Sequence, residues 1–467
     1  MKIEKMTPTK RPQKNLVLSE RTPVVYSERE GYLLVDMGRE VAGYPDLEFD
    51  SPCEQEVLIT FGEHLNEGGR VLREVGGRDF SFNIKARKGK NSFFCPLRRL
   101  AGRYFEVISD TPISAAYIGM RPVDYPVTEL KKEYESDLVK RIYETSVRTL
   151  RLCMHEHYED CPWREQALYA LDSRNQRLFG YHAFRETEYP RANLLLMSKG
   201  LRPDGLLPIC YPAGRDVPIP FFSLAYILEV CEYVEYTGDR TLLDEVGGVM
   251  QTIIETFTKK IDETGLIARL PYPYWNFYEW SPGSSARPDM SRKAEDPYHK
   301  DYEIILNAFY VYVVNIYNKT VGADYNTDAV KKAIHDTFYV ASDGLYKLSC
   351  ENGAYSQLAN SFAALIGLGG DALLGKIAAC EGNMIPATLS MKPFFYDALL
   401  TDKDGYSQFV LDDIKRVYKN MLDDGATSFW ETELGWLDFN KAGSLCHGWS
   451  AAPVYYFSIL GAIKNAE

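Results

Sequence analysis

The feature that most constrains this chain is a change of hydrophobic period around Pro122-Val123-Asp124-Tyr125-Pro126. Before it, short apolar runs separated by glycine and proline read as strands: Tyr32 to Gly38, Glu56 to Gly62, Phe80 to Ile84 and Tyr104 to Ser109. Gly43-Tyr44-Pro45, Gly68-Gly69 and Gly76-Gly77 are expected to be turns between them. After it, Leu138, Ile142, Val147, Leu150 and Leu152 recur near helical spacing. Helical stretches then follow at about 174–198, 221–237, 241–260, 301–320, 327–339, 355–369, 371–381, 407–424 and 449–463. Gly200, Gly238, Gly265, Gly322 and Gly344 stand where such helices would stop.

The expectation is a mainly α protein with a β front. A β-sandwich over 1–126 precedes a helical domain over 127–467. Those last 340 or so residues hold about twelve helices with their loops, the size of an (α/α)6 barrel of six helical hairpins. An α-solenoid is the alternative, but no fixed-period repeat is visible. Pro271 to Gly283 is too aromatic for a plain turn and reads as the wall of a cleft.

Charge narrows the function. With 65 acidic against 53 basic residues the net charge is −12, which disfavours nucleic acid as a partner. Nine cysteines without a C-x-x-C pair read as reduced thiols. No apolar run reaches the roughly 20 residues that span a bilayer, and Met1 to Met6 carries no apolar signal core. A soluble cytoplasmic protein with no membrane association is therefore expected. Seven histidines without H-E-x-x-H spacing offer no metal site, and no cofactor motif is present. Oligomeric state is left open, a homo-oligomer included.

Chemistry concentrates in Tyr158-Glu159-Asp160-Cys161-Pro162-Trp163-Arg164-Glu165-Gln166-Ala167-Leu168-Tyr169-Ala170-Leu171-Asp172. Pro162 suits the first turn of a helix, which would place Glu165, Tyr169 and Asp172 at i, i+4 and i+7 on one face. The plain alternative is a capped surface helix with an ion pair. Two further segments carry acids or histidine beside tryptophan: Thr427-Ser428-Phe429-Trp430-Glu431-Thr432-Glu433 and Ser444-Leu445-Cys446-His447-Gly448-Trp449-Ser450. Acids among aromatics are what glycoside cleavage needs: one to protonate the leaving oxygen, one to activate water, and rings to stack on the sugar.

Asp160-Cys161-Pro162-Trp163-Arg164-Glu165 followed by Asp172 resembles the catalytic motif of the α-L-rhamnosidases of glycoside hydrolase family 78. The other two segments resemble that family's second-acid and histidine segments. Asp36-Met37-Gly38 and Gly102 to Val107 are similar to the sandwich before its barrel. The resemblance implies Glu165 as general acid and Glu431 as general base, with Glu433 the competitor for the latter. Asp160, Arg164 and Asp172 would hold sugar hydroxyls, and Trp163, Tyr169, Trp280, Trp430 and His447 would line the site. It implies an inverting exo-glycosidase acting on a small rhamnoside or oligosaccharide. The alternatives are a barrel glycosidase, phosphorylase or lyase for another sugar, and a carbohydrate-binding protein that has lost catalysis.

Overall fold

The structure, a computed structural model, describes residues 14–214, 217–281 and 300–466. The N-terminal hexapeptide and Pro282-Gly283, both read above, lie outside them. The chain is mixed, helical and stranded, and divides into two compact units.

One unit comprises Lys14–Gln166, Ala183–Arg185 and Lys415–Glu467. Eight of its strands join in one curled antiparallel sheet, where a sandwich was expected, and two short strand pairs lie apart from it. The organising strand is Tyr32–Ser51, 20 residues long. Its first half pairs with Val25–Arg29 and Leu100–Ser109, its second with Gly89–Phe94 and Ser114–Asp124. The turn expected at Gly43-Tyr44-Pro45 is absent because both flanks of the strand are paired there: Pro45 stands opposite Met120, and its carbonyl accepts from Cys95 N at 3.3 Å. The irregularity falls earlier, between Asp36 and Val41, where Gly38 adopts a φ of 73° and a bulge forms. Gly76 and Gly77, both at positive φ, do make a tight hairpin turn. Alternation buries Val57, Ile59 and Phe61 of Gln55–Gly62 in a core that also takes in Cys153, Trp163 and Cys446.

The other unit comprises Ala167–His182 and Glu186–Ile414. Helices Pro220–Thr237, Ile304–Val321, Gln357–Leu365 and Lys392–Leu399 are buried nearly all round. They pack in that sequence, and each contributes one ring, Phe221, Phe309, Phe362 or Phe394, to a cluster with centroids 4.1 to 6.1 Å apart. Between them run one-sided helices. Thr241–Thr258 buries only the stripe Leu242, Val246, Met250, Ile253, Ile254 and Phe257. Asp328–Phe338 likewise buries only Val330, Ile334 and Phe338. Gly238 and Gly322 end their helices in the left-handed conformation. The stretch read as one helix over 174–198 is two, Ala170–Ala183 and Glu188–Ser198. Among the described residues no helix is long and apolar enough to cross a membrane.

Candidate active site

Helix Asp137–Leu152 starts on a Ser136 cap and ends at Cys153. The loop beyond it is pinned by buried charge. His155 is held between the Glu159 carboxylate at 3.1 Å and the Val123 carbonyl at 3.0 Å. Burial works against ionisation of Glu159, but the Arg99 guanidinium and His155 outweigh it and hold the group at about 2. That anchor delivers Asp160 to Gln166 onto the sheet core.

Here the structure corrects the sequence reading. Pro162 to Glu165 make one turn, not a helix. The Gln166 N–H closes on the Cys161 carbonyl at 3.1 Å, and Gln166 itself adopts a φ of 54°. Its side-chain amide binds the Pro162 carbonyl at 2.7 Å and the Arg99 carbonyl at 3.3 Å, which fixes the left-handed residue. The next helix begins only at Ala170, so Glu165, Tyr169 and Asp172 share no single helical face.

The second acid is built by a β-like clasp. The Glu431 N–H donates to the Ser444 carbonyl at 2.9 Å, and the Ser444 N–H donates back to Glu431 Oε2 at 3.0 Å. Gly443 is required before it, because a Cβ there would lie 2.0 Å from the Gly435 carbonyl oxygen. Trp449 Nε1 binds the Glu431 carbonyl at 3.0 Å. Two bonds then join the distant segments within this unit. Arg164 donates to Glu431 Oε2 at 2.5 Å, and the Gly448 N–H donates to the Asp160 carbonyl at 2.9 Å. His447 stacks on Trp449 at 3.7 Å, with Nε2 4.0 Å from Asp160 Oδ2.

The electrostatics follow from burial. Arg164 and Glu431 are 9% and 5% exposed at their side chains. Burial pushes Glu431 up from the ordinary glutamate value; Arg164 pulls it back, and the charge of Glu165 adds to the rise. Burial, then Arg164, pushes His447 well below its usual range, so its imidazole is neutral. Arg164 is held cationic despite burial by the surrounding Glu431, Cys161, Glu165 and Asp160.

Asp160, Trp163, Arg164, Glu165, Trp430, Glu431 and His447 thus belong to one unit. Glu165 meets Arg78 at 3.2 Å with its side chain 26% exposed. Trp163 is 4% exposed and stacks on Phe80 at 4.6 Å. Glu433, two residues on, is exposed. Tyr169, Asp172 and Trp280 belong to the helical unit. There Asp172 is buried in the first turn of its helix, and Trp280 packs beside Phe277 at 4.8 Å with 38% exposure. Among the described residues no group of three His, Cys, Asp or Glu is placed to hold a metal ion.

Sequence reading missed Glu63. This carboxyl follows strand Gln55–Gly62 and is 3% exposed. It accepts from Ser444 Oγ at 2.8 Å and Leu445 N at 2.5 Å, so it fixes the segment that clasps Glu431. Burial pushes it up to about 8. A neighbouring buried acid, Glu40, is also raised, by burial and then by Glu63. No local motif marks such groups; only their charged type in an apolar strand context could have flagged them. The folded chain holds the Glu63 proton more tightly than an unfolded one. Its contribution to stability is therefore whole below 4.5 and is lost as pH rises towards about 8. Glu63→Gln, which keeps one of the two acceptor oxygens and cannot ionise, is expected to flatten that decline. Melting temperatures across the window check this, and an unchanged pH slope would contradict it.

Residues 133–459 match the family described as bacterial alpha-L-rhamnosidase 6 hairpin glycosidase domain. No curated protein sequence matches the chain. Among solved structures, the rhamnosidase of family 78 from Bacillus sp. GL1 is 25% identical with a TM-score of 0.80, over 93% of this chain and 47% of that one. A Klebsiella oxytoca rhamnosidase with rhamnose bound is 18% identical with a TM-score of 0.81, over 96% and 97%. A Streptomyces avermitilis alpha-L-rhamnosidase complexed with L-rhamnose is 15% identical with a TM-score of 0.74, over 96% and 44%. The chain thus spans about half the length of the first and third of these proteins.

Proposed function

The chain belongs to the bacterial alpha-L-rhamnosidase six-hairpin glycosidase family, and from that premise we propose that it hydrolyses terminal α-L-rhamnosides with inversion at the anomeric carbon. The observation that carries the reading is the Arg164–Glu431 contact between segments 267 positions apart, with Glu165 adjoining Arg164 in sequence. The one-sided and all-round-buried helices alternate as paired hairpins do, which favours the (α/α)6 arrangement for the helical unit.

In this reading Glu165 carries a proton and gives it to the glycosidic oxygen as that oxygen takes the electrons of its bond to C1. Water attacks C1 from the opposite face and passes its proton to Glu431. Oε2 of Glu431 is engaged by Arg164 and the Ser444 N–H, which leaves Oε1 to receive that proton. Burial favours a carboxylate that gains a proton as the step proceeds. Asp160 and neutral His447 would bind sugar hydroxyls, and Trp430 would flank the ring.

The test is hydrolysis of 4-nitrophenyl α-L-rhamnoside by the full chain, beside the matching α-D-mannoside and α-L-fucoside. Rhamnose release well above the other two is expected. Absence of rhamnose release from folded protein would contradict the proposal.

A further inference from the structure

We infer that the leaving-group side of the site selects rhamnosides whose aglycone carries a carboxylate, which Arg78 and Arg98 recognise. This rests on the rhamnosidase reading and deepens it. A cleft of about 410 Å³ opens beside Glu165 within the sheet unit, with Arg78, Leu97, Arg98 and Trp163 among its walls. Two turns of the sheet unit supply the guanidiniums: Arg78 follows the Gly76-Gly77 turn, and Arg98 lies in the connection between strands Gly89–Phe94 and Leu100–Ser109.

The charges of that cleft do not cancel. Arg99 is spent on Glu159 and Arg164 on Glu431. Asp79, itself in the cleft wall, is paired at 2.8 Å with Arg73, which is not. Arg78 shares Glu165. Among the described residues Arg98 meets no carboxylate within ion-pair distance; it lies over the Phe61 ring at 5.6 Å. Leu97 beside it is 94% exposed, an apolar step at the rim. A ligand entering here meets one cation that lacks a counter-ion and a second whose only carboxylate partner here is Glu165.

The second point ties recognition to the reaction. An arginine beside a carboxyl group favours its ionised form over the protonated form that donates. An aglycone carboxylate reaching Arg78 and Arg98 together takes Arg78 from Glu165. Glu165 then loses that arginine contact on the side that faces the leaving group. Binding of the correct leaving group thus completes the acid, whereas a neutral aglycone leaves the Arg78–Glu165 pair in place.

The experiment compares two pairs of substrates on the wild-type chain, Arg98→Ala and Arg98→Glu. One pair is the 4-(carboxymethyl)phenyl and 4-(carbamoylmethyl)phenyl α-L-rhamnosides, which differ in charge and little in leaving-group strength. The other is rhamnose linked to glucuronic acid and to glucose. The wild type is expected to favour the anionic member about tenfold in kcat/KM, less at high ionic strength. Arg98→Ala brings the ratio to about one, and Arg98→Glu inverts it. Preference in the aryl pair alone assigns an aromatic acid, and preference in the sugar pair alone assigns a uronic acid. Equal rates in the wild type, or a preference that survives Arg98→Glu, would overturn the inference while rhamnoside cleavage stands. Cleavage of none of the four would overturn both.

Discussion

Glu165→Gln is expected to lower kcat by about 10³-fold on a rhamnoside with a poor leaving group, with KM little changed. The amide keeps the shape of the turn over Pro162 to Glu165 and its exposure, so the fold should survive. What it loses is the proton. The loss must therefore depend on how much help the leaving oxygen needs. On 2,4-dinitrophenyl rhamnoside, whose phenolate departs unaided, the defect should shrink to about tenfold or less. A uniform defect across leaving groups would remove Glu165 from the acid role, and wild-type turnover on a disaccharide would remove it from the reaction.

Glu431→Gln is expected to cost a similar factor, about 10³ in kcat, but on every substrate alike. The base acts on water, and water is the same nucleophile whatever leaves. The pH profile offers a second view. Glu431 must be ionised to accept a proton, and burial holds its folded value above the ordinary glutamate. The acidic limb of kcat/KM should therefore fall at a higher pH than an exposed glutamate would give, as pH drops through that raised value. Glu433 is exposed, and Glu433→Gln should leave turnover near wild type. If instead Glu433→Gln abolished activity and Glu431→Gln did not, the two would have to exchange roles.

The candidate site residues stood out because they sit in short, acid- and aromatic-rich segments. The helices were legible where apolar residues recur with one period, as in Thr241–Thr258. Helix Lys392–Leu399 was missed for the opposite reason: Pro393, Phe394, Phe395 and Tyr396 are apolar on every side, so no stripe exists to read. The break at Gln166 was illegible because a left-handed glutamine is set by its own side-chain bonds and not by a glycine. Strand Tyr32–Ser51 runs through a Gly-Tyr-Pro that would punctuate an isolated segment, because neighbours on both flanks hold it extended. Glu63 was invisible for a related reason. Its partners, Ser444 and Leu445, come some 380 residues later, and no local pattern encodes that meeting.

The most direct measurement is proton NMR of the first product formed from an aryl α-L-rhamnoside, recorded before mutarotation. Two glutamates separated by a water give β-L-rhamnose as the initial anomer, with the α form growing in later. If α-L-rhamnose came first, the carboxylate opposite the acid would be a nucleophile, and Glu431 could not be acting as a base on water.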